Sequence, residues 1–149
     1  MPTRPDIIRI ARTWIATPYH HQASTKGVGT DCLGLVLGVW RELYGATPEH
    51  APPYSPDWAE ASGRETLIDA AHRHLIPIAK ENLLPGDVLI FRYRTTTPAK
   101  HLAILTDGSH MLHAIEGRAV TEHAYTPWWS RRLASALQFP EIEEEANRQ

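Results

Sequence analysis

Hydrophobic residues in the first half of the chain recur at the three- and four-residue spacing of amphipathic helices. One such stretch runs from Thr3 to Ile15 and a second begins at Cys32. Thr3 is a candidate N-cap of the first helix, and Pro5 fits its first turn. A third helix is predicted over residues 62–75, where Ser62 and a glutamate three residues later have capping-box spacing. The first half of the chain is therefore predicted to be mainly helical.

Short apolar runs between turn residues replace the helical period after the turn signal Leu84-Pro85-Gly86-Asp87. The predicted strands are Val88–Phe91, His101–Thr106, Met111–Ile115, Arg118–His123 and Leu133–Phe139. Asp-Gly and Glu-Gly pairs at 107–108 and 116–117 are typical hairpin turns. Because the helices come first and the antiparallel strands follow, the pattern predicts an α+β fold.

Three further segments lack a core-forming pattern. Residues 46–56 contain four prolines and are predicted to form a surface loop, followed by a short helix at 57–60. Residues 141–149 are acidic and are expected to be a solvated tail. We therefore expect one domain, residues 1–140, followed by this tail, and 149 residues suffice for one buried core.

Composition narrows the classes of function. A net charge of −2 with scattered arginines disfavours binding to nucleic acid. The longest apolar runs fall short of the roughly 20 residues that span a bilayer, and residues 1–6 carry no apolar segment of the secretory type. A single cysteine forms no internal disulfide. We expect no membrane span, and synthesis in the cytoplasm without a signal peptide.

That single cysteine occupies an unusual position. Asp31 stands where an N-cap belongs and Gly45 is a C-terminal stop, so Cys32 falls in the first turn of the second helix. Free N–H groups and the helix dipole favour an anion there, and such thiols have pKa values of roughly 3.5–7.5. Cys32 is therefore a candidate nucleophile. The alternative is that it is a small buried hydrophobic residue.

Two of the nine histidines lie on adjacent predicted strands. His101 and His113 flank one hairpin turn and are expected to approach as cross-strand neighbours, as a base and its orienting group must; a purely structural pair is the alternative. His20 and His21 precede the Cys32 helix and are candidates to line a cleft. A metal site that uses Cys32 with these histidines is disfavoured because Cys32 has no ligand at close spacing. We expect no metal and no cofactor.

Several motifs in order resemble the NlpC/P60 peptidase family, over residues 7–139. They are Thr17-Pro18-Tyr19, Asp31-Cys32-Leu33-Gly34-Leu35-Val36, Leu84-Pro85-Gly86-Asp87-Val88, Lys100-His101-Leu102-Ala103-Ile104 and Met111-Leu112-His113-Ala114. The resemblance is strongest to the branch of phage and gene-transfer-agent cell-wall peptidases, which the stretch Trp128-Trp129-Ser130-Arg131-Arg132 with Phe139-Pro140 supports.

The resemblance implies a papain-like fold, with the nucleophile helix packed on an antiparallel sheet. It implies hydrolysis of amide bonds in peptidoglycan stem peptides, commonly between D-glutamate and a diamino acid. Cys32 would be the nucleophile, His101 the base and His113 the orienting residue. Tyr19 matches a tyrosine that helps to bind the oxyanion, or it is a packed loop aromatic. Asp31 matches an aspartate that contacts the substrate amine, or it only caps the helix.

One position departs from the family pattern. Cell-wall enzymes of the family usually carry serine directly after the cysteine, where this chain has Leu33, so the substrate subsite need not match theirs. The resemblance also implies incorporation into a phage-like particle, with tail proteins as partners. A structural component of such a tail that keeps the fold without activity remains the alternative.

Overall fold

The computed structural model of the protein describes residues 1–48 and 65–143. Its helices are α1 (Arg4–Arg12), α2 (Cys32–Tyr44), α3 (Thr66–His74) and α4 (Pro127–Ser130), with a 3-10 turn at Lys80–Asn82. Its strands are β1 (Ser24–Thr25), β2 (Gly29–Thr30), β3 (Ile76–Ile78), β4 (Val88–Phe91), β5 (His101–Asp107), β6 (His110–Ala114), β7 (Val120–Ala124) and β8 (Leu133–Gln138). Within these ranges, every helix is too short or too polar to span a bilayer.

Six strands form one antiparallel sheet in the order β3-β8-β4-β5-β6-β7. Strands β1 and β2 form a small separate hairpin directly before α2. Helix α2 packs across β5 and β6, and α1 packs against α2. The α+β class and the helix-on-sheet packing are therefore confirmed.

The predicted starts of α1 and α2 have the expected caps. The Thr3 hydroxyl accepts the N–H of Asp6 at 3.1 Å, and the Asp6 carboxylate accepts the N–H of Thr3 at 2.9 Å, which completes a capping box. Asp31 caps α2 by accepting the N–H of Gly34 at 2.7 Å. Gly45 ends α2 in the left-handed region at φ +87°. Cys32 is thus the first residue of α2.

Apolar side chains pack on both faces of the sheet. The helical face holds the larger cluster, including Ile7, Leu35, Val39, Ile104 and Leu112. The opposite face holds a smaller one, including Leu89, Phe91, Ala103, Leu105 and Met111. All four residues of β4 are buried because this strand is central and both of its faces are covered. That burial explains why the run Val88–Phe91 is continuously apolar.

Besides the β1–β2 hairpin and the 3-10 turn, two elements lie where the sequence pattern predicts none. Strand β3 is a three-residue edge strand that contains Pro77, and α4 is a single turn that starts with Pro127. Neither is long enough to show a period, and proline argues against a strand unless the strand lies at an edge. Both depend on contacts with β8 and the site rather than on local pattern.

The predicted capping role of Glu65 is wrong. Helix α3 begins at Thr66, and the Glu65 carboxylate instead pairs with Arg92 and accepts the N–H of Ala99 at 3.2 Å. Glu65 therefore ties the start of α3 to the loop between β4 and β5. The predicted start of this helix at Ser62, most of the proline-rich loop and the helix at 57–60 lie outside the described residues.

The expectation of a solvated tail is wrong at Ile142, whereas the side chains of Glu141 and Glu143 are exposed. Ile142 is buried, and the N–H of Glu143 donates to the carbonyl of Pro2 at 2.7 Å. Residues 141–143 therefore pack against the start of the chain. Residues 144–149 lie outside the described part of the structure.

Candidate active site

The N-terminus of α2 is held by its own cap and by the preceding loop. Both oxygens of Asp31 accept backbone N–H groups, one from Gly34 at 2.7 Å and one from Gln22 at 2.8 Å. The Ser24 hydroxyl donates to the carbonyl of Gly34 at 2.6 Å. Asp31 is buried, so its contacts here are those of a helix cap that also fixes the loop beside Cys32.

The half-buried thiol of Cys32 lies against the first residues of β5. Its Sγ donates to the carbonyl of Lys100 over 3.8 Å, and the N–H of Leu102 faces the sulfur. These two backbone groups lie on either side of His101 in the sequence. The fold therefore brings the sulfur, 69 positions earlier in the chain, to the strand segment that carries this histidine.

His101 and His113 contact each other through their ring nitrogens. His101 Nε2 lies 2.6 Å from His113 Nδ1, and both residues are buried. Ile104 lies opposite Leu112 in the strand register, so the two histidines are diagonal neighbours rather than directly opposed. The predicted cross-strand approach of the pair is thus confirmed, and it leaves His101 Nδ1 for a second partner.

Burial opposes charge on the thiol and on both histidines. It raises the pKa of Cys32 to about 12, helped by the negative charge of Asp31, although the N–H groups of Leu102, Leu33 and Cys32 act in the opposite direction. It lowers the pKa of His101 to about 4 and that of His113 to about 2. Burial therefore works against the low thiol pKa that the helix start predicts, and it favours the neutral forms of Cys32 and His101.

Two tyrosines stand near the thiol. Burial raises the pKa of Tyr19, and the proximity of Cys32 and Asp31 raises it further. Burial and the proximity of Cys32 likewise raise the pKa of Tyr93. Both hydroxyls therefore stay protonated and can donate a hydrogen bond. Tyr93 also stacks on the ring of His101, with centroids 5.8 Å apart.

Sequence reasoning missed three residues of this cluster. His123 Nε2 lies 2.6 Å from His113 Nε2, and the Trp129 ring lies against both of these histidines and His101; Tyr93 completes the set. The position of His123 could have been predicted from sequence, because it lies on the strand after the second hairpin turn as His113 lies on the strand after the first. Trp129 reaches the cluster from α4, and Tyr93 reaches it from the loop after β4. No local sequence pattern predicts that either residue lies there.

His20 and His21 remain exposed in the loop before β1, and the His20 ring packs beside Gly29. Neither histidine is part of the line of ring contacts that joins His101, His113 and His123. Across residues 1–48 and 65–143, no three His, Cys, Asp or Glu side chains are arranged to hold a metal ion. The three clustered histidines form a line of nitrogen-to-nitrogen contacts rather than a ring around a common centre.

Comparison with known proteins gives one consistent family. The sequence profile described as the NlpC/P60 family matches residues 16–138. A gamma-DL-glutamyl hydrolase of Bacillus subtilis (strain 168) is 25% identical over 140 residues, which cover 91% of this chain and 29% of that protein. The chain thus spans less than a third of the length of that curated relative.

Solved structures show the same fold. An NlpC/P60 family protein from Bacillus cereus ATCC 10987 superimposes with a TM-score of 0.67 at 20% identity, over 93% of this chain and 40% of that one. The NlpC/p60 domain of the peptidoglycan hydrolase SagA superimposes with a TM-score of 0.62 at 20% identity, over 92% of this chain and 99% of that one. NlpC1 from Trichomonas vaginalis superimposes with a TM-score of 0.63 at 18% identity, over 91% of this chain and 44% of that one.

Proposed function

The chain belongs to the NlpC/P60 family, and from this premise we propose that it is a cysteine peptidase that hydrolyses amide bonds in bacterial peptidoglycan stem peptides. The observation that carries the proposal is the site itself. A thiol at a helix N-terminus lies against the strand start that bears His101, and His101 is held from behind by His113. A nucleophile, a base and an orienting group are the parts that thiol catalysis requires.

In the proposed mechanism, His101 takes the proton of Cys32 while the sulfur attacks the scissile carbonyl carbon. The N–H of Cys32 at the helix start and the hydroxyl of Tyr19 donate to the oxyanion. His101 then gives the proton to the leaving amine, and a thioester to Cys32 remains. Water hydrolyses this acyl-enzyme, with His101 again acting as the base.

We propose that the bond is the one between D-glutamate and a diamino acid. The similar Bacillus subtilis protein is by name a gamma-DL-glutamyl hydrolase, and the SagA domain comes from a peptidoglycan hydrolase. A cavity of about 530 Å³ next to Tyr93 supports an acidic peptide, because four of its lining residues are cationic: Lys80, Arg92, Arg131 and Arg132. Such side chains suit the free carboxylates of this peptide class.

The test is incubation with defined stem peptides that contain D-glutamate and a diamino acid, followed by mass analysis of the products. The wild type is expected to cleave between these two residues. Cys32→Ala should fall to background because no nucleophile remains, and His101→Ala should lose at least about 100-fold in kcat. His110→Ala, an exposed histidine on the same hairpin, is the matched control and should keep full activity.

Two outcomes would contradict this mechanism. Cleavage that survives in Cys32→Ala would remove the thiol from the reaction. Full turnover in His101→Ala would show that another group is the base.

We also propose that the protein acts as part of a phage-like tail, which the resemblance of residues 128–132 and 139–140 to that branch supports. The chain should then be found by mass spectrometry in purified particles from producing cells. Particles that carry Cys32→Ala should assemble normally and lose wall-peptide cleavage. Normal infectivity of those particles would instead favour a structural component that keeps the fold without needing its activity.

A further inference from the structure

Three histidines form a line across the sheet from β5 to β7, and the line ends on a backbone carbonyl. His101 Nε2 lies 2.6 Å from His113 Nδ1, and His113 Nε2 lies 2.6 Å from His123 Nε2. At the far end, His123 Nδ1 lies 3.0 Å from the carbonyl oxygen of Ala124. These contacts use every ring nitrogen of the three histidines except His101 Nδ1.

The carbonyl of Ala124 determines where the protons of this line must be. A carbonyl oxygen only accepts, so His123 Nδ1 carries a proton, and in the singly protonated ring Nε2 accepts. His113 Nε2 then donates to His123, which leaves His113 Nδ1 as an acceptor. His101 Nε2 donates to that acceptor, and the lone pair of His101 is consequently on Nδ1.

The surroundings bury His101 and His113, while His123 is half-buried. Burial lowers the pKa of both His101 and His113, so each ring holds one proton near pH 7. The Trp129 ring lies 5.2 to 6.2 Å from the three imidazole centroids and covers them from one side. Because His101 and His113 are buried, water competes little for the hydrogen bond between their rings.

We propose that His123 is a positioning residue that sets the tautomer of His101 through His113, so that Nδ1 of His101 is the base for Cys32. The inference rests on the proposed peptidase function. When the sulfur attacks, the S–H bond breaks, its proton bonds to His101 Nδ1, and the sulfur electron pair forms the S–C bond. The carbonyl π pair moves to oxygen and then returns to re-form the C=O bond, while the C–N pair stays on the leaving nitrogen, which takes the proton from His101 Nδ1.

The direction in which the three rings donate matters, because the reversed set of hydrogen bonds leaves no lone pair on His101 Nδ1 to accept the proton of Cys32. Without an acceptor at position 123, His113 can carry its proton on Nδ1, where it opposes a proton on His101 Nε2. His101 then shifts to the tautomer with its proton on Nδ1, and the nitrogen needed by Cys32 is blocked. Loss of the hydrogen-bond acceptor at position 123 should therefore lower kcat and leave KM nearly unchanged.

The kinetic test compares His123→Phe, which keeps a ring but removes the acceptor, with His123→Gln, whose amide oxygen can accept from His113. We expect kcat of the Phe variant to fall at least about 10-fold with KM within about 2-fold of wild type, and the Gln variant to stay within about 3-fold in kcat. His110→Phe, outside the line, should match wild type. Equal kcat in wild type and His123→Phe would overturn the proposal.

A second measurement does not need activity. In a Cys32→Ala background, the ¹⁵N shifts of labelled histidines report which nitrogen of His101 is protonated. We expect Nε2–H at His101 with His123 present and a shift toward Nδ1–H in His123→Phe, with His123→Leu used if the Phe variant does not fold. An unchanged His101 tautomer would overturn the proposal. If the wild type cleaves no wall peptide, the proposed function fails while this readout still decides the tautomer.

Discussion

At the scale of single residues, burial at the site changes which form of the nucleophile is present at rest. A thiol at a helix N-terminus is stabilised as an anion by the helix dipole, and exposed examples ionise readily. Here burial outweighs that effect and raises the pKa of Cys32 to about 12, while it lowers the pKa of His101 to about 4. Burial therefore favours a neutral thiol beside a neutral imidazole, from which the proton would move during attack.

This neutral pair predicts an unusual pH dependence. His101 must be unprotonated to act as a base, and its lowered pKa means that kcat/KM should fall only as the pH drops through about 4. The raised pKa of Cys32 means that alkylation by iodoacetamide should be slow at neutral pH and rise about tenfold per pH unit above it. Rates measured between about pH 3 and about pH 10 check both statements.

The opposite resting state would give the opposite result. A preformed thiolate and imidazolium pair would be alkylated at its maximal rate already near pH 7, and that plateau would contradict the neutral pair.

At the scale of elements, the start of α2 is positioned by close packing on the preceding hairpin. Gly34 lies directly against the carbonyl of Ala23, and a Cβ added at Gly34 would lie 1.9 Å from that oxygen. The same carbonyl accepts the N–H of Asp31 at 3.2 Å. Cys32 is therefore held in place by a backbone-to-backbone contact that only glycine permits at position 34.

Gly34→Ala should therefore disturb both stability and activity. The clash is with backbone, which cannot swing away as a side chain does, so we expect a loss of about 1–3 kcal/mol in the free energy of unfolding and a lower kcat. Urea denaturation followed by tryptophan fluorescence, together with peptide turnover, provides the measurement. Gly108→Ala is the control, since nothing lies within 4 Å of its added Cβ; equal stability of the two variants would refute the packing argument.

At the scale of the whole molecule, charge is distributed unevenly. The net charge is −2, yet among the described residues that line the cavity beside Tyr93, four of eight are lysine or arginine and none is acidic. Arg92 is paired with Glu65, whereas Lys80 and Arg131 are exposed at the cavity edge. A local positive field of this kind attracts an acidic peptide to a protein that is acidic overall.

Neutralising the exposed cations should weaken substrate binding without changing the chemistry. For the double variant Lys80→Gln and Arg131→Gln we expect KM for an acidic stem peptide to rise about 3- to 10-fold at low salt, with kcat unchanged and the difference shrinking as salt screens the charges. Arg9→Gln, on the exposed side of α1, is the control. An unchanged KM at low salt would exclude the cavity as a substrate subsite.

The sequence by itself determined the elements whose bonds are local. The capping box at Thr3 and the cap and stop of α2 are closed by residues within four positions of one another, and the apolar runs of β4 and β5 mark buried strands. The same local rules placed Cys32 at a helix start and brought His101 and His113 together across one hairpin.

Tertiary structure decided the rest, because the remaining features depend on what packs around a residue. Glu65 left its predicted capping role for Arg92, 27 positions away, and Ile142 became buried where the acidic pattern predicts a solvated tail. His123 and Trp129 joined the site only through strand register and the docking of α4. The pKa of Cys32 likewise depends on burial. The sequence predicts the helix dipole at this position but not the burial, and burial is the stronger of the two effects on the pKa.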